Sequence, residues 1–345
     1  MNRVLSKIVL TIVALLAASG INAQSQEPFW LGADISGTTE LEARGIQLTN
    51  AAGEPRENTE LMKELGLNAV RLRVWVEPTD GLCNGDDVLR MALRAKALGM
   101  ALMIDFHYSD WWADPGKQNI PKSWKGMSYG EMCDALANHT REVLRKLKNN
   151  GIDVKWVQVG NETTDGFLWD VGRASTNMAQ YAGLTANGYD AVKEIYPDAT
   201  VIVHIDCGSD PKRYDFIFDG LRKYGAKWDM IGMSIYPYWD IDTKLQTTWQ
   251  GTVDGFVSNI KRLYKKYGSE TMIVETGVEA KKPVLGKEIL DAIIDAAYSR
   301  CDGHCKGVFY WAPEAEGAYP LGAFDGNKPT VIMDSFTEMA RKLKQ

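Results

Sequence analysis

The chain predicts a single (β/α)8 barrel, an architecture of the α/β class, on three observations. Eight short runs rich in β-branched and aromatic residues begin 30 to 54 residues apart, which leaves room each time for a loop and a crossover helix. Helical patterns with Lys and Arg crowded at their ends fill several of those gaps, and a last one closes the chain. The composition, 45% hydrophobic and 24% charged, is that of a chain that buries a large core, which excludes disordered, collagen-like and disulfide-scaffold classes. A doubly wound sheet is the alternative, but no Gly-x-Gly-x-x-Gly follows the first run.

Taken in order, the chain opens with Arg3 and Lys7, an apolar run from Ile8 to Ala18, and small residues up to Ala23. Basic, apolar and small-residue regions in that order read as a cleaved secretory signal peptide, and the run is shorter than the roughly 20 residues of a membrane span. The expected organisation is therefore a signal peptide over 1–23 and one catalytic domain over 24–345, exported to the periplasm, the cell surface or the medium. The predicted strands are 29–35, 69–75, 101–108, 155–159, 200–206, 230–236, 271–275 and 307–311. Helices are expected over 87–98, 129–149, 178–196, 253–267, 287–299 and 336–344. Five cysteines cannot all pair within one chain, and Cys301 and Cys305 are spaced so that they either close a small disulfide loop or remain thiols. A formal charge of −6 without any basic stretch excludes a nucleic-acid partner and favours a neutral ligand.

In this fold the C-terminal strand ends carry the chemistry. Two carboxylates terminate otherwise apolar strands there, Glu162 after the fourth and Glu275 in the seventh. Glycoside cleavage needs a proton donor for the leaving oxygen and a second carboxylate facing the anomeric carbon, and strands four and seven lie on roughly opposite sides of an eight-strand ring. Sequence order does not assign the two roles. Asn161, beside Glu162, is placed to bind a ring hydroxyl, and Tyr236, on the strand before Glu275, to orient that carboxylate. Period-two alternation puts Arg71, Arg73 and Trp75 on one face, and likewise Asp105 with His107 and His204 with Asp206, toward the barrel mouth. Each histidine reads either as a hydrogen-bonded structural residue or as a sugar ligand; a metal reading needs convergent ligands with spare coordination, and sugar binding already uses these. Trp112 and Trp311 fall at strand ends where aromatic faces stack on sugar rings.

These motifs resemble glycoside hydrolase family 53, the endo-β-1,4-galactanases, within the clan of retaining (β/α)8 hydrolases. The resemblance rests on Gly32-Ala33-Asp34-Ile35-Ser36, on Asn68 to Trp75, on Asp105 to Asp110 continuing to Trp112-Ala113-Asp114-Pro115, on Val159-Gly160-Asn161-Glu162, and on Val274-Glu275-Thr276. It implies that Glu162 is the general acid/base and Glu275 the nucleophile, their carboxyl groups about 5 to 5.5 Å apart as retention requires. It also implies that Arg71, His107, Asn161, Tyr236 and Trp311 surround the sugar at the cleavage point, with Trp112 adding a binding face. With Asp110, His204 and Asp206 these make the expected substrate-binding set. The implied substrate is β-1,4-galactan or its oligosaccharides, acted on by a monomer without a cofactor. Some bacterial members carry long loops after strands seven and eight with a calcium site. Here only about ten residues, Val278 to Lys287, follow strand seven, and Asp325-Gly326-Asn327 reads as a turn rather than a calcium loop. A mannan or xylan hydrolase of the same clan and a non-catalytic glycan-binding barrel are the competing readings.

Overall fold

The computed structural model describes residues 28–315, 317 and 319–345. The expected signal peptide lies outside the described residues. Eight strands, β1 (Trp30–Asp34), β2 (Ala69–Val74), β3 (Ala101–Phe106), β4 (Trp156–Val159), β5 (Thr200–Ile205), β6 (Met230–Ile235), β7 (Glu270–Thr276) and β8 (Cys305–Trp311), form a closed barrel in sequence order, every neighbouring pair parallel. The doubly wound alternative is thereby excluded.

Helices start where their caps dictate. Asn84 accepts the backbone N–H groups of Asp86 and Asp87 at the head of the helix Gly85–Ala97, and Ser128 with Glu131 forms a capping box on Tyr129–Asn149. Ala174–Ile195, Trp249–Tyr267, Pro283–Ser299 and Asp334–Lys342 match the expected helices to within a few residues at most ends. The helix Pro211–Lys223 after β5, capped by Asp210, has no counterpart among the named patterns. Two short helices after β1, Thr38–Ala43 and Asn58–Glu64, and one after β6, Pro237–Asp242, were likewise not expected. None of the described helices is long and apolar enough to cross a membrane.

Alternation along the strands divides the interior in two. Val70, Leu72 and Val74 face outward into the main core beneath the helices, whereas Ala69, Met103, Trp156, Ile202, Met230, Met272, Val274 and Phe309 form a separate apolar plug inside the lower barrel. Gly32 on β1 is required there, since a Cβ would stand 2.3 Å from the Phe309 ring. Cys301 and Cys305 are buried free thiols, as is Cys83. Residues Asp325 to Lys328 close a two-stranded hairpin in which Gly326 takes φ 60° and the Asn327 amide donates to the Gln47 carbonyl, so the stretch is a turn.

Candidate active site

The backbone just past four barrel strands adopts the left-handed region at side-chain-bearing residues: Tyr108 (φ 49°), Glu162 (φ 44°), Cys207 (φ 46°) and Ala312 (φ 43°). Each such residue costs on the order of 1 kcal/mol and persists where surrounding contacts over-determine it. Around Glu162 the contacts are explicit. Gly160, at φ 90° with Thr163 where a Cβ would sit, turns the chain, while the N–H groups of Glu162 and Thr163 donate to His204 Nδ1 (3.3 Å) and the His204 carbonyl (2.8 Å).

Glu275 reaches the mouth by a different device. Met272 and Val274 both face inward, so regular alternation would turn Glu275 out into the helical layer. Between the pairs Met233–Ile273 and Ser234–Glu275 the register shifts by one residue on β7, and this bulge returns Glu275 to the interior.

Beneath the carboxylates lies a buried polar lattice. Arg71, fully buried, donates to Asp34 (2.7 Å), Asp105 (2.9 Å), Gln158 (2.7 Å) and Asn161 (2.8 Å), and pairs with Glu275 Oε1 at 2.9 Å. The Tyr236 hydroxyl donates to Glu275 Oε2 at 3.1 Å. Glu162 Oε1 accepts from Ser234 Oγ at 2.6 Å, and Ser234 stands 2.8 Å from His204 Nε2. His204 Nδ1 accepts from the Glu162 N–H and faces the Gln158 amide at 3.1 Å; the Asn161 Oδ1, also 3.1 Å away, already accepts from Arg71, so the network assigns the proton to Nε2, which donates to Ser234 and leaves the serine hydrogen for Glu162. By the same reasoning His107 Nδ1 accepts from the Ala113 N–H (3.1 Å), so its Nε2–H points at Asp105, 3.0 Å away.

Burial pushes both carboxyls upward, and their surroundings separate them. At Glu162 the charges of Glu275 and Asp206 add to burial, with only the Ser234 hydrogen bond acting strongly against it. At Glu275, burial and the charges of Asp105 and Asp34 are opposed by the Arg71 guanidinium and the Tyr236 hydroxyl, which leaves its carboxyl at about 7. A proton shared by the pair therefore resides on Glu162, and the charge on Glu275. Burial and the nearby Arg71 charge hold His204 well below its ordinary range, so it is neutral.

These groups open into a cleft of about 730 Å³. His107, Asn161, Tyr236, Trp112 and Trp311 line it, as sequence reasoning placed them, and so does Asp206. Asp206 is taken by Arg213, whose Nη1 lies 2.7 and 2.6 Å from its two oxygens. Arg71 and His204 have no exposed surface: they act through Glu275, Asn161 and Ser234 instead of touching a ligand. Asp110 departs from its expected place. It lies off the cleft lining, and its carboxylate accepts the backbone N–H groups of Glu77 (3.0 Å), on the loop after β2, and Lys122 (2.7 Å), so it ties two loops together instead of facing a ligand. Ser234, Gln158, Arg213 and Tyr319 were missed. Gln158 and Ser234 had a legible signal, being polar at inward register positions; Arg213 and Tyr319 come from a helix and a loop with no periodic signature. Among the described residues no three His, Cys, Asp or Glu side chains gather to hold a metal.

The family model described as glycosyl hydrolase family 53 matches residues 30–328. A probable arabinogalactan endo-β-1,4-galactanase A of Neosartorya fischeri is 33% identical over 333 residues, covering 90% of this chain and 90% of the relative. An endo-β-1,4-galactanase of Bacillus subtilis is 34% identical over 329 residues, 87% of this chain and 73% of its own. Among solved structures, the GH53 catalytic domain of Ignisphaera aggregans superposes with a TM-score of 0.80 at 28% identity, covering 90% of this chain and 95% of that one.

Proposed function

The chain belongs to glycosyl hydrolase family 53, and from that premise we propose that it is an exported endo-β-1,4-galactanase that cleaves (arabino)galactan and galacto-oligosaccharides with retention. The observation that carries the mechanism is the unequal pair: Glu275 is paired with Arg71 at 2.9 Å and accepts from Tyr236, which favours its anion, whereas Glu162, buried near the charges of Glu275 and Asp206, accepts only from Ser234, which favours its protonated form. In the first step Glu275 attacks the anomeric carbon, the glycosidic C–O bond breaks, and Glu162 gives its proton to the departing oxygen. Conversion of Glu275 to a neutral ester removes the charge that raised Glu162, so Glu162 as an anion then takes a proton from a water whose oxygen attacks the anomeric carbon; the ester bond to Glu275 breaks, Glu275 leaves as a carboxylate, and the sugar is released with its original configuration. Similarity to named galactanases supports the substrate, and the order of basic, apolar and small residues before Ala23 supports export.

The test is a panel of linear β-1,4-glycans with the configuration of the first product recorded. Release of reducing ends from galactan in preference to mannan and xylan, with β-configured initial product, is expected. Added azide should rescue Glu162→Ala as a β-glycosyl azide and Glu275→Ala as the α product. An inverted first product would overturn the assignment, and equal turnover of xylan would overturn the substrate.

A further inference from the structure

Trp111 stands apart from the cleft's own aromatic residues. It does not line the cleft, yet it is 52% exposed, a large apolar surface to leave in water. Singly scattered exposed aromatics are ordinary on protein surfaces. Trp111 is not scattered. It ends a row of edge-on ring contacts that starts at the cleft, from Trp311 to Trp112 (5.5 Å between centroids, 61° between planes) and from Trp112 to Trp111 (6.3 Å, 80°).

Its conformation is also fixed. Trp75, buried at the end of β2, packs against one indole face at 4.8 Å and a 32° tilt, which leaves the other face to solvent. The loop is pinned just before the ring: Asp110 accepts from the Glu77 and Lys122 N–H groups, and the Ser109 carbonyl from the Val76 N–H at 2.9 Å. Arg73, buried under Trp112 at 3.9 Å and beside Trp75 at 4.8 Å, packs the row from below. A rigid indole with one face packed and the other bare offers contact area without paying to order it on binding.

We propose that Trp111 is the platform of an outer sugar-binding subsite, engaged by residues of a long galactan chain beyond those held in the cleft. The proposal rests on the reading of the chain as a galactanase. The bare indole face takes the apolar face of a neutral hexose, and its place outside the cleft makes it serve long chains and not short ones.

The experiment compares wild type, Trp111→Ala, Trp111→Phe and, as an exposed aromatic far from the cleft, Tyr224→Ala, on long galactan and on galactotriose. Trp111→Ala should raise KM on long galactan about tenfold, against little change on galactotriose; Trp111→Phe should recover most of the loss. In the unmutated protein, long galactan should protect Trp111 from N-bromosuccinimide oxidation, read by mass spectrometry, where galactotriose does not. That measurement stands even if a variant fails to fold. Equal effects on both substrates, an equal effect of Tyr224→Ala, or no protection would overturn the subsite while leaving the galactanase reading intact. A wild-type protein that turns over no galactan would overturn that reading, and the subsite with it.

Discussion

The lower and upper halves of the barrel interior are built from the same strands two residues apart, and they are chemically opposite. Along β2, β3, β4 and β5 the lower layer reads Ala69, Met103, Trp156 and Ile202, and the layer above it Arg71, Asp105, Gln158 and His204. All eight are essentially buried, so the difference is not exposure. The lower layer is stabilised by contact alone, each side chain filling space left by its neighbours. The upper layer can exist only because its members satisfy one another: Arg71 meets three carboxylates, Gln158 bridges Arg71, Asp105 and His204, and His204 hands a hydrogen to Ser234. A site of this kind is laid on an apolar plug because a dry floor keeps the charges above it strong and immobile.

The comparison breaks most sharply at Glu275. Glu275→Ala should lower kcat on galactan by on the order of 10⁴ to 10⁶, with thermal stability preserved or raised, since a buried carboxyl is removed. Arg71→Met comes next and should harm both properties. It strands Asp34, Asp105 and Glu275 as buried charges, so stability should fall by about 3–5 kcal/mol and kcat by on the order of 10² to 10³. In the lower layer Met103→Ala should cost about 2–5 kcal/mol by chemical denaturation while kcat of the folded protein stays near wild type. A large kcat loss there, at equal folded fraction, would show that the plug and the lattice are not separable.

Most of the fold was legible because each strand carries the period-two signal and most long helices their own stripe; every end of the eight strands lies within two residues of its expected position. The site was legible where a polar residue interrupts an apolar strand, as at Arg71, Asp105 and His204. Two features were not. The β7 bulge leaves no mark in composition: Met272, Val274 and Glu275 cannot all face inward under strict alternation, so reading Glu275 as a site residue depended on its being a strand-end acid and not on its parity. Asp110 sits in a polar stretch where a cleft residue and a loop pin look alike, and only the positions of the Glu77 and Lys122 N–H groups tell them apart.

Glu314 extends the comparison to a buried acid that the lattice does not satisfy. Neither of its oxygens has a hydrogen-bond partner, nor does Asn58 Oδ1, and burial pushes its carboxyl up to about 8. An unfolded glutamate titrates near 4.3, so between that value and about 8 the folded chain binds more protons than the unfolded one. The stability Glu314 contributes is therefore fully present below the unfolded value and is lost as pH rises toward the folded one. Glu314→Gln, which never ionises, should flatten the fall in Tm between pH 5.5 and 8.5 and raise Tm by a few degrees at the upper end. Parallel curves for the two proteins would mean that Glu314 has found a cation partner.

The smallest expected effect isolates one hydrogen. In the assigned network His204 Nε2–H donates to Ser234, whose own hydrogen stabilises the anion of Glu162 at 2.6 Å. Ser234→Ala deletes that donor without moving a charge, so Glu162 should hold its proton more tightly. The alkaline limb of kcat/KM, where the acid loses its proton, should then move to higher pH. The change also leaves the His204 N–H unpaired, at about 1–3 kcal/mol of stability. The control lies one layer down, directly beneath His204: Ile202→Val removes a methyl from the apolar plug and should leave the limb where it was. If Ser234→Ala moves the limb downward instead, the serine hydrogen points to His204, the tautomer is the reverse of the one assigned, and the lattice tunes Glu162 through burial and charge alone.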